Sequence, residues 1–216
     1  FVGSAIAFIT TIAIPPRWEH EQIHELVRNA ILANSKYFSF ISKPFLGEPL
    51  SNLDYKLHRK EAFVQLANLS DAFQRMLNEP RRHQKKIQVI HQMVVSNHML
   101  ASHIATLSSY RKMAALFPAQ KFKPIVDASL GHLQSGAELL SPDAHFPAYI
   151  NAEENFAIRE ELKLLMDKRL LELANGSLET STRKEFSGLK SLVDQFEYIN
   201  KISTELEKLS GKLVNG

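Results

Sequence analysis

The chain has 216 residues, 44% of them hydrophobic, so it can bury a core without disulfide or metal support. Its 26 basic and 23 acidic side chains nearly cancel, and no long basic block is present to track a phosphate backbone, which argues against nucleic acid as a partner. Cysteine is absent, which excludes a disulfide framework and a thiol nucleophile.

In chain order, the first stretch is FVGSAIAFITTIAI, fourteen residues without a charge, followed by Pro15-Pro16 and then Arg17-Trp18-Glu19. A membrane-spanning helix needs about 20 apolar residues, so this run has the length of the second half of a span. The sequence opens on Phe1 and not on Met, and the span is expected to begin upstream. Trp18 suits the membrane interface and Arg17 the headgroups, while Gly3, Ser4 and Ala7 offer the small surface on which membrane helices pack. We therefore expect residues 1–16 to be the end of a transmembrane helix in contact with the lipid bilayer, and residues 17–216 to form one helical domain. A buried segment of a soluble core is the alternative.

Residues 18–42 carry Ile23, Leu26, Val27, Ala30, Ile31, Asn34, Tyr37, Phe38 and Ile41 at steps of three and four, the helical period. The spacing predicts a stiff, uninterrupted helix, a lever leading away from the bilayer. SKPFLGEPLSN (42–52) then reads as a loop. A second helix is expected from residue 52 or 54 to just before Pro80, turning Leu57, Ala62, Phe63, Leu66, Leu69, Ser70, Phe73, Met76 and Leu77 toward a core.

Residues 79–82 leave room only for a tight reversal, so the helix predicted over 82–117 should pair with its predecessor, antiparallel and at the centre of the domain. Its seam is Ile87, Ile90, Val94, Asn97, Ala101, Ile104 and Ser108. A shorter helix is expected over 121–140, closed by SPDAHFP, and a fifth over 152–174, stopped by Asn175-Gly176. The last, over 182–212, has a stripe of Leu189, Val193, Phe196, Ile199, Ser203, Leu206 and Leu213, with one gap at Gly188 that would loosen its start. No stretch alternates with the period of a strand. The expected fold is all-α, a bundle of about six helices with long antiparallel pairs.

One stretch suggests chemistry: His20-Glu21-Gln22-Ile23-His24 fits H-E-x-x-H, in which two imidazoles one helical turn apart hold zinc and the glutamate holds the attacking water. The extended form of the motif is excluded by Val27-Arg28-Asn29-Ala30-Ile31, and Glu48, the nearest acidic candidate for a third ligand, sits in the proline loop. An all-helical chain also lacks the strand edge on which such proteases hold substrate. We therefore read His20 and His24 as binding no metal, and assign no catalytic, metal or cofactor residue. A membrane-tethered zinc metalloprotease built on His20, Glu21 and His24 is the alternative. His91, His98 and His103, with Asn97 and Ser102, make a polar strip on the long helix, expected to be satisfied by neighbouring helices. Glu153-Glu154 and Glu160-Glu161, seven apart, read as a solvated face pairing with Arg159, Lys163 and Lys168.

DYKLHRKEAFVQLANLSDAFQRMLNEP (54–80), followed by IHQMVVSNHMLASHIATL (90–107), resembles the C-terminal cytoplasmic portion of FUSC-like inner-membrane proteins, the fusaric acid resistance and YccS type. FVGSAIAFITTIAIPPRWE resembles the end of the last membrane helix in that family, so the likeness runs over about residues 1–110. The resemblance implies a bacterial inner-membrane exporter or resistance factor with two blocks of membrane helices, each followed by a soluble helical region. This chain would supply the second such region. It would be non-enzymatic and act in oligomerisation, gating or regulation, as a homo-oligomer without a cofactor. Arg17, Arg28 and Lys36, closely following the apolar run, place residues 17–216 on the cytoplasmic side by the positive-inside rule.

Overall fold

The computed structural model describes residues 19–79, 86–142 and 157–215, and these are helical with no strand among them. The expected membrane segment, residues 1–16, lies outside them. No described helix is long and apolar enough to cross a membrane.

Helix α1 (Glu19–Ser42) runs unbroken because neither glycine nor proline interrupts it. Pro44 then opens a short 3-10 helix, Lys43–Leu46, which ends on Gly47 at φ 79°, a left-handed conformation that glycine adopts without the steric cost of a Cβ. Helix α2 (Asn52–Leu77) begins where the Ser51 hydroxyl accepts the Asp54 N–H at 3.4 Å. Helix α3 (Ile87–Leu107) ends earlier than its hydrophobic period suggests. The hydroxyls of Ser108 and Ser109 donate to carbonyls three residues back, each at 2.7 Å, and the chain tightens into a 3-10 helix, Ser108–Leu116. Helices α4 (Lys123–Leu139), α5 (Ile158–Ala174) and α6 (Ser181–Asn215) follow.

Four helices form the core: α1 and α6 each pack on both α3 and α4. Helix α2 runs back along the outside of α1, and α5 lies on α6. The pairs Ser70 with His98 and Phe73 with His91 make α2 and α3 antiparallel. Lys86 with Leu213 and His103 with Gln195 do the same for α3 and α6. By contrast, Ser129 with Asn200 and Ser135 with Glu207 show that α4 and α6 run in the same direction. At one end of the bundle Phe38, Phe45, Phe122 and Phe196, all fully buried, meet with ring centroids 5.2 to 6.2 Å apart, joining α1, the first 3-10 helix, the start of α4 and α6.

The all-α bundle is as expected, and the stripes of α1 and α6 are buried almost residue for residue. The expectation of a central α2–α3 pair is not: α2 packs chiefly on α1 and is peripheral. Its contact stripe is Ala62, Leu66, Leu69, Phe73 and Met76, while Leu57, Phe63 and Leu77 are exposed. At 100° per residue Leu57 and Phe63 fall outside that stripe, and no other described helix covers their side. Nor does Gly188 interrupt α6, which is continuous from Ser181 to Asn215; the end of the Met113 side chain, from the 3-10 helix Ser108–Leu116, fills the space a Cβ would take.

Replacing Phe196 with Ala should destabilise the fold by about 3–5 kcal/mol, whereas Phe63→Ala should stay within about 0.5 kcal/mol. Chemical denaturation of both variants measures the contrast; comparable losses would mean that α2 is buried on both sides.

Candidate functional site

The most enclosed polar cluster lies between α4 and α6. Ser129, His132, Ser135 and Gly136 share one face of α4 by their spacing. Gly136 sits so close to α6 that an added Cβ would lie 3.2 Å from Glu207 Cα. This approach buries the Glu207 carboxylate, which needs partners to offset its lost hydration. Ser135 Oγ donates to Oε1 at 2.5 Å, and His132 Nδ1 lies 2.6 Å from Oε2. Nearby, the Ser129 hydroxyl donates to the Ile125 carbonyl at 2.7 Å and lies 3.1 Å from Asn200 Oδ1. Serine, carboxylate and histidine are all present, but the carboxylate stands between the other two. In a Ser-His-acid triad the serine hydroxyl bonds the imidazole, whereas here Ser135 bonds Glu207. The cluster joins two helices.

A second buried polar contact joins α1 to α3. Asn34 Nδ2 donates to the Asn97 carbonyl at 3.2 Å and to its Oδ1 at 3.1 Å, while Asn97 Nδ2 donates to the Met93 carbonyl at 2.9 Å.

At the end of the bundle where α1 finishes, Tyr37 and Tyr55 meet with ring centroids 6.2 Å apart. Burial pushes the Tyr37 phenol far above its ordinary range, and the Tyr55 phenol beside it adds to the shift. Burial also works upward on Tyr55, but the Ser108 and Tyr37 hydroxyls and the Arg59 guanidinium together outweigh it, and its pKa is lowered. Arg111 lies over the Tyr55 ring, 5.4 Å from its centroid.

A groove of about 770 Å³ runs between α3, α5 and α6 and is lined by Ser96, Met99, Arg159, Tyr198, Lys201 and Glu205 among others. Charges of both signs share it, and Arg159 is held by Glu197 at 2.6 Å.

The side chains of His20 and Glu21 lie outside the described residues, and His24 is half-buried on α1. Glu48 follows the far end of that helix, about 27 Å along the axis from His24, so it is not the third ligand. Among the described residues no group of three or more His, Asp and Glu is placed to hold a metal. His91 stacks on Phe73, His98 bonds the Ser70 hydroxyl at 2.7 Å, and His103 bonds Gln195 at 2.8 Å while stacking on Tyr198. Each histidine of the strip is thus used by a neighbouring helix. Glu160 and Arg159 pair across elements, with Lys121 and Glu197; Glu153 and Glu154 lie outside the described residues. Sequence reading missed Glu207 and its partners, whose one signal was the repeat of small polar residues on α4. It also missed the meeting of Tyr55 and Arg59, one turn apart on α2, with Arg111 from the 3-10 helix that follows α3.

No family model matches the chain, and no solved structure does. Over 110 residues, 51% of this chain, it is 26% identical to an uncharacterized protein of Haemophilus influenzae, covering 15% of that protein. Over 111 residues it is 24% identical to the inner membrane protein YccS of Escherichia coli, covering 16% of it. This chain is similar to an inner-membrane protein. The match takes up only a minor part of each relative's length, and half of this chain lies beyond it.

His132→Ala would leave Glu207 buried beside Ser135 alone and should cost about 3–5 kcal/mol, as other broken buried pairs do. A loss below about 1 kcal/mol in urea unfolding would show that the carboxylate reaches solvent without its histidine.

Proposed function

We propose that this chain is the soluble helical portion following the last membrane helix of a FUSC-type inner-membrane transport or resistance protein. It is non-enzymatic, lies on the cytoplasmic side from residue 17 onward, and acts in assembly and in gating or regulation of the membrane part. The observation that carries this reading is the similarity to YccS, together with the apolar run of residues 1–14 placed directly before α1. No described residue supports the zinc-protease alternative.

The structure suggests how coupling would work. Helix α1 is packed on α2, α3 and α4 and buries Ile23, Val27, Ile31, Tyr37 and Phe38, so it is a core helix and not a free-standing lever. A displacement at its first turn would therefore move the whole bundle, because close-packed cores respond as units. The joint lies ahead of α1. Inserting Gly-Gly between Arg17 and Trp18 in the full-length protein should leave the bundle folded, by circular dichroism, while abolishing the transport or resistance phenotype. Full activity in that variant would overturn the coupling.

Assembly has a candidate surface in α5. At 100° per residue Leu164 and Leu171 occupy one flank and Met166, Leu170 and Leu173 another; all five are exposed, and Leu178 just beyond is 69% exposed. The helix meets the rest of the chain mainly through α6. Two apolar flanks left open between charged residues on one helix mark a contact surface. Its charged residues are evenly matched, with Arg159, Lys163, Lys168 and Arg169 against Glu160, Glu161, Asp167 and Glu172. Two copies would not repel, and a second copy of this chain is the occupant we infer. Leu164→Glu with Leu171→Glu should lower the oligomeric state seen by light scattering; an unchanged mass would remove α5 from the interface.

A further inference from the structure

We propose that Tyr55, Arg59 and Arg111 form a binding site for the phosphate group of a small soluble molecule, in the corner between the start of α2 and the 3-10 helix that follows α3. The site rests first on what these cations lack. Arg75, Arg159, Arg169 and Arg183 each hold a carboxylate, whereas no described carboxylate lies within ion-pair reach of Arg59 or Arg111. Their partners are aromatic: Arg59 lies 5.7 Å from the Phe63 ring and Arg111 5.4 Å from that of Tyr55. A ring face offsets part of a guanidinium's charge but takes none of its hydrogen bonds.

Arg111 is also oriented. Its Nε donates to the Ser108 carbonyl at 2.9 Å, which anchors the inner edge of the guanidinium and leaves its outer N–H groups for an oxyanion. Arg59 reaches the same corner from α2, where its charge acts directly on the Tyr55 phenol. Lys56 and Lys60 line a shallow depression with Arg59 and Phe63, which extends the positive surface outward. The acidic residues of this part of α2, Asp54 and Glu61, lie about 140–160° round the helix from Arg59, and Glu61 is engaged with Gln65. The corner is thus a concentration of positive charge with a hydroxyl at its centre and no internal anion. Burial works upward on the Tyr55 phenol, but the Ser108 and Tyr37 hydroxyls, with the Arg59 charge added to them, leave its pKa lowered.

A phosphate fits this chemistry. Its oxygens take paired bonds from two guanidiniums and one from a protonated phenol. The ligand is a soluble phosphate and not a lipid headgroup because the corner lies at the far end of α1, about 27 Å along the axis between Glu19 and Tyr37. That choice of source rests on the membrane-proximal start of α1 in the proposed function; the anion chemistry does not.

The test is a titration of the full chain with inorganic phosphate at constant ionic strength, followed by calorimetry and by phenolate absorbance. Saturable binding is expected, and a bound phosphate should raise the Tyr55 pKa, because its charge opposes the phenolate. Arg59→Gln should weaken binding about tenfold or more without changing the melting temperature, and Arg59→Lys should lose less. Lys184→Gln, on the exposed start of α6, should bind as the parent does. Arg111→Gln should match Arg59→Gln if it folds; the Arg59 pair keeps the test intact if it does not. Absence of saturable binding, or equal binding by Arg59→Gln, would overturn the site. Retention on phosphatidylglycerol vesicles that is lost in Arg59→Gln, together with weak binding of free phosphate, would overturn the soluble source.

Discussion

Two of the core contacts join helices that point the same way, and the rest of the bundle follows from that constraint. Helices α4 and α6 are parallel neighbours, with Ser129 level with Asn200 and Ser135 with Glu207. A chain leaving α4 must travel back along the bundle before α6 can start, and α5, whose Glu160 meets Lys121 just ahead of α4, is the last stretch of that return. The same logic applies to α1 and α3, joined by Asn34 and Asn97, with α2 as their return. Both return helices are therefore placed outside the core, packed on one side only. This is why α2 and α5 carry many of the exposed large apolar side chains, and why the surfaces available to other molecules lie on them.

The α4–α6 contact shows how such a pair is held in register. Gly136 lets the backbones approach, and the approach removes Glu207 from water. Its carboxylate is satisfied only when His132 and Ser135 stand opposite, so sliding α4 by one turn would leave a buried charge unpaired. Apolar side chains tolerate small shifts; this carboxylate does not. Asn34 and Asn97 play a similar part between α1 and α3, where an amide meets both an amide and a backbone carbonyl. Buried polar residues that look catalytic in isolation thus specify which helices meet and at what level.

Legibility varied with how a helix is covered. The stripes of α1 and α6 were readable because each is packed on several neighbours, and a wide apolar face gives a strong period. On α2 the period was present but weak, and Leu57, Phe63 and Leu77 were drawn into it although they face solvent. The end of α3 was misplaced for a different reason. Ser108 and Ser109 turn the chain into a 3-10 helix through their own hydroxyls, a local competition that hydrophobic spacing does not register. His20 and His24 attracted attention as a motif, yet Tyr55, Arg59 and Arg111, which belong to no motif, gather the unpaired charge.

By itself the sequence determined the helical class, the approximate helices and the buried faces of α1, α3 and α6, because these depend on periodicity and on glycine, proline and serine at fixed places along the chain. Its likeness to an inner-membrane protein is also a property of residue order alone. Only the tertiary structure decided which helices are neighbours, that α4 and α6 run parallel, and that α2 is peripheral. The reason is physical: an apolar stripe states that a face must be buried but not against what. The partner is chosen by close approach at Gly136, by the meeting of four phenylalanines, and by where a buried carboxylate finds its donors.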